Sequence, residues 1–268
     1  MTEMTATRCA NCGRAVEGAG QAFCPACGQP TPAHRIDWHF LVHELEHSVL
    51  HMDRGVFFTL RNLLLRPGHM IRDYIEGRRA GIVKPLLLIM MTAALLIVLA
   101  KYLLAGDLVG TVLAVDAGSG QPEDLGKLDV DYLVTTFGAI KAWMNQHYTV
   151  LTLLMLPLEA LAFKLAFRRV GGLNYPEWLV ITTFLTAQSF VLQAIAMPLQ
   201  RAWPQMQGTI MLVAAGYGAV SLVQYFGRDH ARWKIAIRAV LGYGMVMLIS
   251  ITLNVLVALA VVLKAFRP

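Results

Sequence analysis

Residues 85–105 read PLLLIMMTAALLIVLAKYLLA, an apolar run whose only charged residue is Lys101. A helix that crosses a bilayer needs roughly 20 mostly apolar residues. The run therefore predicts a transmembrane helix. Lys101 lies near its far end, where a long side chain can reach the headgroup layer.

Four similar runs follow in a chain of 268 residues that is 56% apolar and 15% charged, with a mean hydropathy of +0.54. Soluble domains have about 45–50% apolar and about 25% charged residues. This composition excludes a disordered protein, a coiled coil and a disulfide-rich miniprotein. We predict an all-α polytopic membrane protein with about five transmembrane helices, at residues 85–105, 147–167, 177–199, 206–226 and 236–263. The break at 199–206 is short, so four or six spans remain open.

The segments before the first span differ in composition. Residues 1–33, rich in Cys, Gly, Ala and Pro, predict a small N-terminal domain, and residues 34–84 predict cytoplasmic juxtamembrane amphipathic helices at 37–51, 56–66 and 67–77. Residues 85–268 form the predicted bundle. The helix at 56–66 has two interpretations, one on the membrane surface and one packed against the bundle.

The charge distribution indicates the topology. The net charge is +6, and most basic residues border apolar runs, which favours an anionic membrane surface over nucleic acid as the partner. Connections 168–176 and 227–235 are basic, whereas loop 106–146 is mainly acidic. Because basic residues concentrate on the cytoplasmic side, we place the N-terminus in the cytoplasm and that loop outside. Five spans then leave the C-terminus outside.

All four cysteines lie in two matching knuckles, Cys9-Ala-Asn-Cys12-Gly and Cys24-Pro-Ala-Cys27-Gly. Two residues between thiolates allow both sulfurs to face one ion, and four sulfurs complete a closed tetrahedral zinc site. The sequence predicts one structural zinc ion in a zinc ribbon with four cysteine ligands. The metal folds a segment too small to fold alone, and the ribbon is also a candidate docking module.

Four histidines recur every four residues in HFLVHELEHSVLH, residues 39–51. Within it, His43, Glu44 and His47 match HExxH, in which two histidines bind zinc and the glutamate acts as general base. A third ligand has to come from elsewhere. The interpretations are a polar helix face, a second metal site, a hydrolase or a pH sensor. The candidate third ligands are Glu177, Asp229, His230 and Asp53.

Glu159 lies inside the second predicted span, two residues after Pro157. Carboxylates within spans are costly and often functional. Glu159 is thus a candidate for a proton or ion pathway. The alternative is a side chain near the membrane interface.

The order of these motifs resembles that in a family of uncharacterised bacterial polytopic inner-membrane proteins. The family is a domain of unknown function with an N-terminal zinc ribbon and a HExxH-containing juxtamembrane helix. The resemblance covers residues 9–85 well and the later spans loosely, and it implies an inner-membrane location and zinc but no activity. The family has a Glu-His pair and a further His in a later span; here Glu177 matches, but Trp178 and Phe184 replace the histidines. The matching residues are Cys9 to Cys27, His43, Glu44, His47, His51, Asp53, Gly55, Leu64, Arg66, Pro67, Gly68, Arg72, Tyr74, Gly77, Arg79 and Pro85.

These observations favour a non-enzymatic scaffold or transport-associated protein whose cytoplasmic ribbon docks a protein partner. One alternative is a membrane zinc metallohydrolase that uses His43, Glu44 and His47. Another is a proton or ion pathway at Glu159. The sequence leaves the substrate, the partner and the oligomeric state open.

Overall fold

The computed structural model describes residues 7–16, 21–31, 33–47, 55–109 and 130–265. At the N-terminus, β1 (Thr7–Arg8) pairs antiparallel with β2 (Ala15–Val16), with Thr7 opposite Val16. A second antiparallel bridge joins Phe23 to Pro30. Each pairing closes one cysteine knuckle, and we call residues 7–31 the ribbon.

Three short helices follow the ribbon: α1 (Trp38–His47), α2 (Val56–Leu65) and α3 (Pro67–Ile75). Pro67 starts α3, where its missing N–H has no intrahelical partner to lose. Arg66 separates α2 from α3 and leaves the helical conformation, with φ −143° and ψ 51°. The two helices therefore form a bent hairpin, which packs against the long helices.

Among the described residues, five helices are long and apolar enough to cross a bilayer. This confirms the predicted fold class, a helical membrane protein with five candidate spans. A short 3-10 turn at Pro204–Met206 joins the third span to the fourth. The long helices are α4 (Pro85–Leu103), α6 (Tyr148–Ala166), α7 (Tyr175–Ala202), α8 (Gln207–Phe226) and α9 (Arg232–Ala265).

Helix α7 is the centre of the bundle and packs against α2, α3, α4, α6 and α8. In the most apolar 18-residue stretch of α7, 61% of the residues are buried, whereas the corresponding share in α9 is 6%. Asn174 caps its N-terminus by accepting a hydrogen bond from the Glu177 backbone N–H, and the Glu177 carboxylate accepts one from the Asn174 N–H. This capping box gives the central helix a defined start.

Helix α5 (Val130–Gln146) lies in the segment predicted as an outer loop. It packs against α6 and α9, and Phe137 of α5 and Val261 of α9 are both buried. Lys141 of α5 forms an ion pair of 2.7 Å with Asp107 after α4. Part of the connection between the first two spans is therefore helical.

The ribbon packs at one end of the bundle, which holds the start of α4, the end of α6, the start of α7, the end of α8 and the start of α9. We call this end the ribbon side. Arg238 near the start of α9 donates to the Ala166 carbonyl at the end of α6, at 2.9 Å. The segment after α4 and the end of α5 lie at the other end, where Asn145 accepts from the Leu108 N–H.

Candidate metal centre and its attachment to the bundle

The two cysteine knuckles have the same backbone geometry. In the first, the Cys9 carbonyl accepts from the Gly13 N–H at 2.9 Å, and in the second the Cys24 carbonyl accepts from the Gly28 N–H at 2.8 Å. Gly13 and Gly28 have φ of +73° and +71°, a conformation that glycine adopts without a Cβ clash. The glycine after each cysteine pair thus turns the chain back over its sulfurs.

The four sulfurs converge on one point, with all ligand atoms within 4.8 Å of one another. Cys9 and Cys27 are 3.6 Å apart at Sγ, as are Cys12 and Cys24. Tetrahedral zinc with Zn–S near 2.3 Å requires sulfurs about 3.8 Å apart. Within the described ranges, these cysteines are the only group of three or more such side chains arranged to hold a metal ion.

The knuckle backbones favour thiolates in part of the cluster. A backbone hydrogen bond from Ala26, with a second from Cys27, lowers the pKa of Cys24 to about 7. Backbone hydrogen bonds from Cys12 and Asn11 lower the pKa of Cys9 as well. Neighbouring thiolates repel one another, and a cation bound between them would reduce this repulsion. Thiolates are also the form of cysteine that binds metal.

Gln29, directly after the second knuckle, fixes the ribbon to the loop between α3 and α4. Its side chain is buried, and its Oε1 accepts from the backbone N–H groups of Arg79 at 3.1 Å and Ala80 at 2.8 Å. Gly77 in the same loop has φ +94°, and a Cβ there would lie 3.0 Å from Ala33 Cβ. The ribbon is therefore packed on the bundle.

Arg79 ties three further parts of the chain together. Its guanidinium donates to the Tyr74 carbonyl at 3.1 Å and the His34 carbonyl at 3.0 Å, and it lies 4.3 Å from the centre of the Phe40 ring. Cation–π contacts of this kind are favourable when partly desolvated. Arg79 thereby connects the ribbon exit, α1 and α3.

Arg35 connects the ribbon exit to the central helix. It donates from Nε to Oε1 of Glu177 at 2.6 Å and from Nη2 to Oε2 at 2.9 Å, and Nη2 also reaches the Gly172 carbonyl at 2.9 Å. Asn174 Nδ2 donates to the Ile36 carbonyl at 2.8 Å, and Ile36 is fully buried in the bundle core. We call the contacts of Gln29, Arg35 and Arg79 the latch.

The HExxH prediction falls mostly outside the described side chains. The backbone of α1 includes His43, Glu44 and His47, but the side chains of residues 43–47, like all of residues 48–54 with His51 and Asp53, lie outside what the structure describes. A second metal site at His43, His47 and Glu177 thus stays a prediction. The Glu177 carboxylate accepts from Arg35 and from the Asn174 N–H, and Asp229 pairs with Arg72 at 3.1 Å.

Glu159 lies on α6 and faces α7, where Oε2 accepts from the Thr186 hydroxyl at 3.2 Å. Farther along the same helix, Phe163 stacks edge-on against Tyr243 of α9. The buried Tyr243 hydroxyl has no hydrogen-bond partner in the described part of the chain. The carboxylate therefore lies between helices within the apolar segment.

The sequence analysis predicted none of the latch contacts, although Arg79 is among the residues that match the resembled family. Asn174 and Glu177 carried a signal, since a capping residue followed three positions later by Glu marks a helix start. The contacts of Gln29 and Arg35 carried none, because their partners lie 50 or more residues away in the chain. The contact of Arg79 with His34 likewise joins residues 45 positions apart.

Comparison with known proteins gives a family match for part of the chain. Residues 53–97 match the model of a family described as a protein of unknown function (DUF3667). The described part of the matched segment comprises α2, α3 and most of α4 and does not include the ribbon. No curated protein and no solved structure matches.

Proposed function

We propose that this protein is a membrane scaffold whose cytoplasmic zinc ribbon, held in a fixed orientation by the latch, docks a cytoplasmic protein. The observation that carries the proposal is the latch itself. A freely tethered module needs no hydrogen bonds to the bundle, whereas this ribbon makes two through the buried side chain of Gln29. A fixed ribbon presents one face to a partner at a defined distance from the membrane.

The exposed face of the ribbon has the chemistry of a docking surface. Phe23, next to Cys24, is 59% exposed, and Arg8 and Arg14 are exposed as well. Aromatic and arginine side chains are enriched where proteins bind each other. We propose an acidic protein surface as the complement.

Photo-crosslinking in cells tests the docking. A benzophenone amino acid at position 23 is expected to crosslink one dominant protein, and the same label at Tyr102, exposed in the last turn of α4 at the other end of the bundle, is not. The purified partner must then bind the full-length protein and bind Phe23→Ser more weakly. Equal binding of both would refute the ribbon as the docking site.

Zinc is the metal that we propose for the four thiolates, because they form a closed tetrahedral set with no site for water. Purified protein is expected to contain one zinc per chain, lost in a Cys12→Ser, Cys24→Ser variant. The metallohydrolase alternative requires a second ion that survives these changes and is lost in His43→Ala. Metal analysis of the three proteins therefore separates the two functions.

A cytoplasmic ribbon side is proposed from the charge of the connecting segments. Green fluorescent protein at the N-terminus and alkaline phosphatase inserted in loop 106–129 are both expected to be active. An active phosphatase at the N-terminus would invert the topology. The basic residues at the ribbon side include Arg72, Arg78, Arg79, Lys84, Arg168, Arg169, Arg228, Arg232 and Lys234.

A second candidate function is a proton or ion pathway at Glu159, and the hydrogen bond from Thr186 favours it because it turns the carboxylate toward the bundle. In proteoliposomes with a pH-sensitive dye, wild type is expected to leak protons faster than Glu159→Gln. Equal rates in both would eliminate this function.

A further inference from the structure

Helix α2 has one face inside the protein and one outside. Thr59 and Leu63 are fully buried, and the Thr59 hydroxyl accepts from the Val83 N–H at 2.9 Å. On the opposite side, Phe57 is 81% exposed, and Phe58 and Leu65 are also exposed. A ten-residue helix is about 15 Å long and is too short to cross a bilayer.

The bend between α2 and α3 lies against the spans. The Leu63 carbonyl accepts from Gln188 Nε2 of α7 at 3.2 Å, and the Leu64 carbonyl accepts from the Tyr217 hydroxyl of α8. The Gly68 N–H donates to Gln224 of α8 at 3.1 Å. Backbone that leaves the helix at membrane depth is tolerated when protein satisfies its hydrogen bonds, and here side chains of the spans do so.

The contact points place this bend along the lengths of α7 and α8. Gln188 lies 13 residues after Tyr175, or about 20 Å along α7. Tyr217 lies nine residues before Phe226, or about 14 Å along α8. The bend therefore lies beside the apolar helices, whereas Gly68, two residues after Arg66, contacts Gln224 only two residues before the ribbon-side end of α8.

Two arginines border this exposed apolar stripe. Arg61 lies four residues from Phe57 and from Leu65, hence on the same helix face, and Arg66 follows Leu65. Both are exposed, and in the part of the chain that the structure describes neither has an ion-pair partner. Their charge is available to an external anion.

We infer that the α2–α3 hairpin is a re-entrant element that binds an anionic phospholipid of the ribbon-side leaflet. Phe57, Phe58 and Leu65 lie among its acyl chains, and Arg61 and Arg66 hold its headgroup phosphate. Arginine matches phosphate geometry and can extend from an apolar surface to the headgroups. Two guanidiniums against one phosphate leave net positive charge, which favours an anionic over a zwitterionic lipid.

Native mass spectrometry of the full-length protein from detergent tests the lipid class. Phosphatidylglycerol is expected to bind wild type more tightly than phosphatidylcholine, and Arg61→Gln, Arg66→Gln to weaken phosphatidylglycerol binding about thirtyfold. The matched control, Arg8→Gln, Arg14→Gln, removes two exposed ribbon arginines and is expected to bind like wild type. Equal affinity for both lipids, or equal loss in both double variants, would overturn the proposal.

Two further experiments test whether the bound phosphate belongs to a lipid and whether α2 is inserted among the acyl chains. Soluble glycerol phosphate is expected not to compete with the lipid; full competition would indicate a site for free phosphate. Brominated phosphatidylglycerol is expected to quench the added fluorescence of Phe57→Trp and not that of Phe23→Trp on the ribbon. Because both positions are exposed, both variants should fold, and the reverse pattern would exclude insertion.

Discussion

Glu177 connects two structural features through one carboxylate. Its oxygens accept from Arg35 and from the Asn174 N–H, so the same group holds the ribbon exit and caps the central helix. The side chain of Glu177 is 4% exposed, whereas that of Arg35 is 62% exposed. A buried carboxylate without its partner is costly, but the exposed arginine is screened by water.

Arg35→Ala is expected to lower the unfolding free energy by about 1–2 kcal/mol, because a charge-assisted pair is lost at a partly exposed site. Thermal unfolding in detergent measures the change. In the double-mutant cycle, Glu177→Gln is expected to make Arg35→Ala nearly neutral. Additive effects of the two changes would show that the pair contributes no coupling.

At the scale of helices, the close crossing of α3 and α8 depends on Gly68. A Cβ at position 68 would lie 2.2 Å from the Ser221 carbonyl oxygen and 2.6 Å from the Tyr225 backbone nitrogen. Backbone atoms cannot move aside as a flexible side chain does, so the helices would have to separate. Their separation would also remove the hydrogen bond from the Gly68 N–H to Gln224.

Gly68→Ala is expected to destabilise the protein by about 1–3 kcal/mol through overpacking. Gly216→Ala is the matched control, since it lies on α8 with nothing within 4 Å of the added Cβ. Alanine there should be neutral or slightly stabilising, because glycine is a poor helix former. Equal melting temperatures of the two variants would contradict the close crossing.

The end of α3 forms an ion-pair network that responds to pH. Burial alone raises the pKa of Glu76, but hydrogen bonds and charges from Arg72 and Arg78 more than offset this and lower it. A carboxyl with a lowered folded pKa stabilises the protein fully above its unfolded pKa, near 4.3. This contribution is lost as the pH falls through the folded pKa.

The melting temperature of wild type is accordingly expected to exceed that of Glu76→Gln at neutral pH. The difference should shrink as the pH falls below about 4.3. Melting curves of both proteins across the acid range give the comparison. A gap that widens on acidification would mean that the network does not favour the charged carboxylate.

At the scale of the whole molecule, the residues that the structure describes form two separate apolar cores. A small one in the ribbon contains Cys9, Val16 and Cys24, and the large one contains residues of the bundle and of α2 and α3. The ribbon core is too small to fold without further support, which a metal can provide. The bundle core contains none of the cysteines.

Removal of the metal is therefore expected to unfold the ribbon alone. A chelator should leave the helical circular dichroism nearly unchanged, while trypsin gains access to the exposed Arg14. Readdition of zinc should restore protection. Loss of most helical signal on chelation would show instead that the ribbon supports the entire bundle.

Much of the architecture followed from local patterns. Five apolar runs, two CxxC knuckles and Pro67 at a helix start predicted the spans, the cysteine cluster and the α2–α3 boundary, because each depends on residues close in sequence. Helix α5 was missed, since it lies in a mixed polar segment predicted as a loop.

The amino-acid order by itself determined that the chain enters a bilayer and that four thiols meet, since hydrophobic length and short spacing suffice for both. Only the tertiary structure decided that the ribbon is latched to the bundle and that the α2–α3 hairpin bends between the spans. Arg35 meets Glu177 across 142 residues, and Leu63 meets Gln188 across 125. Such contacts arise when helices pack in three dimensions, and no local periodicity records which helices become neighbours.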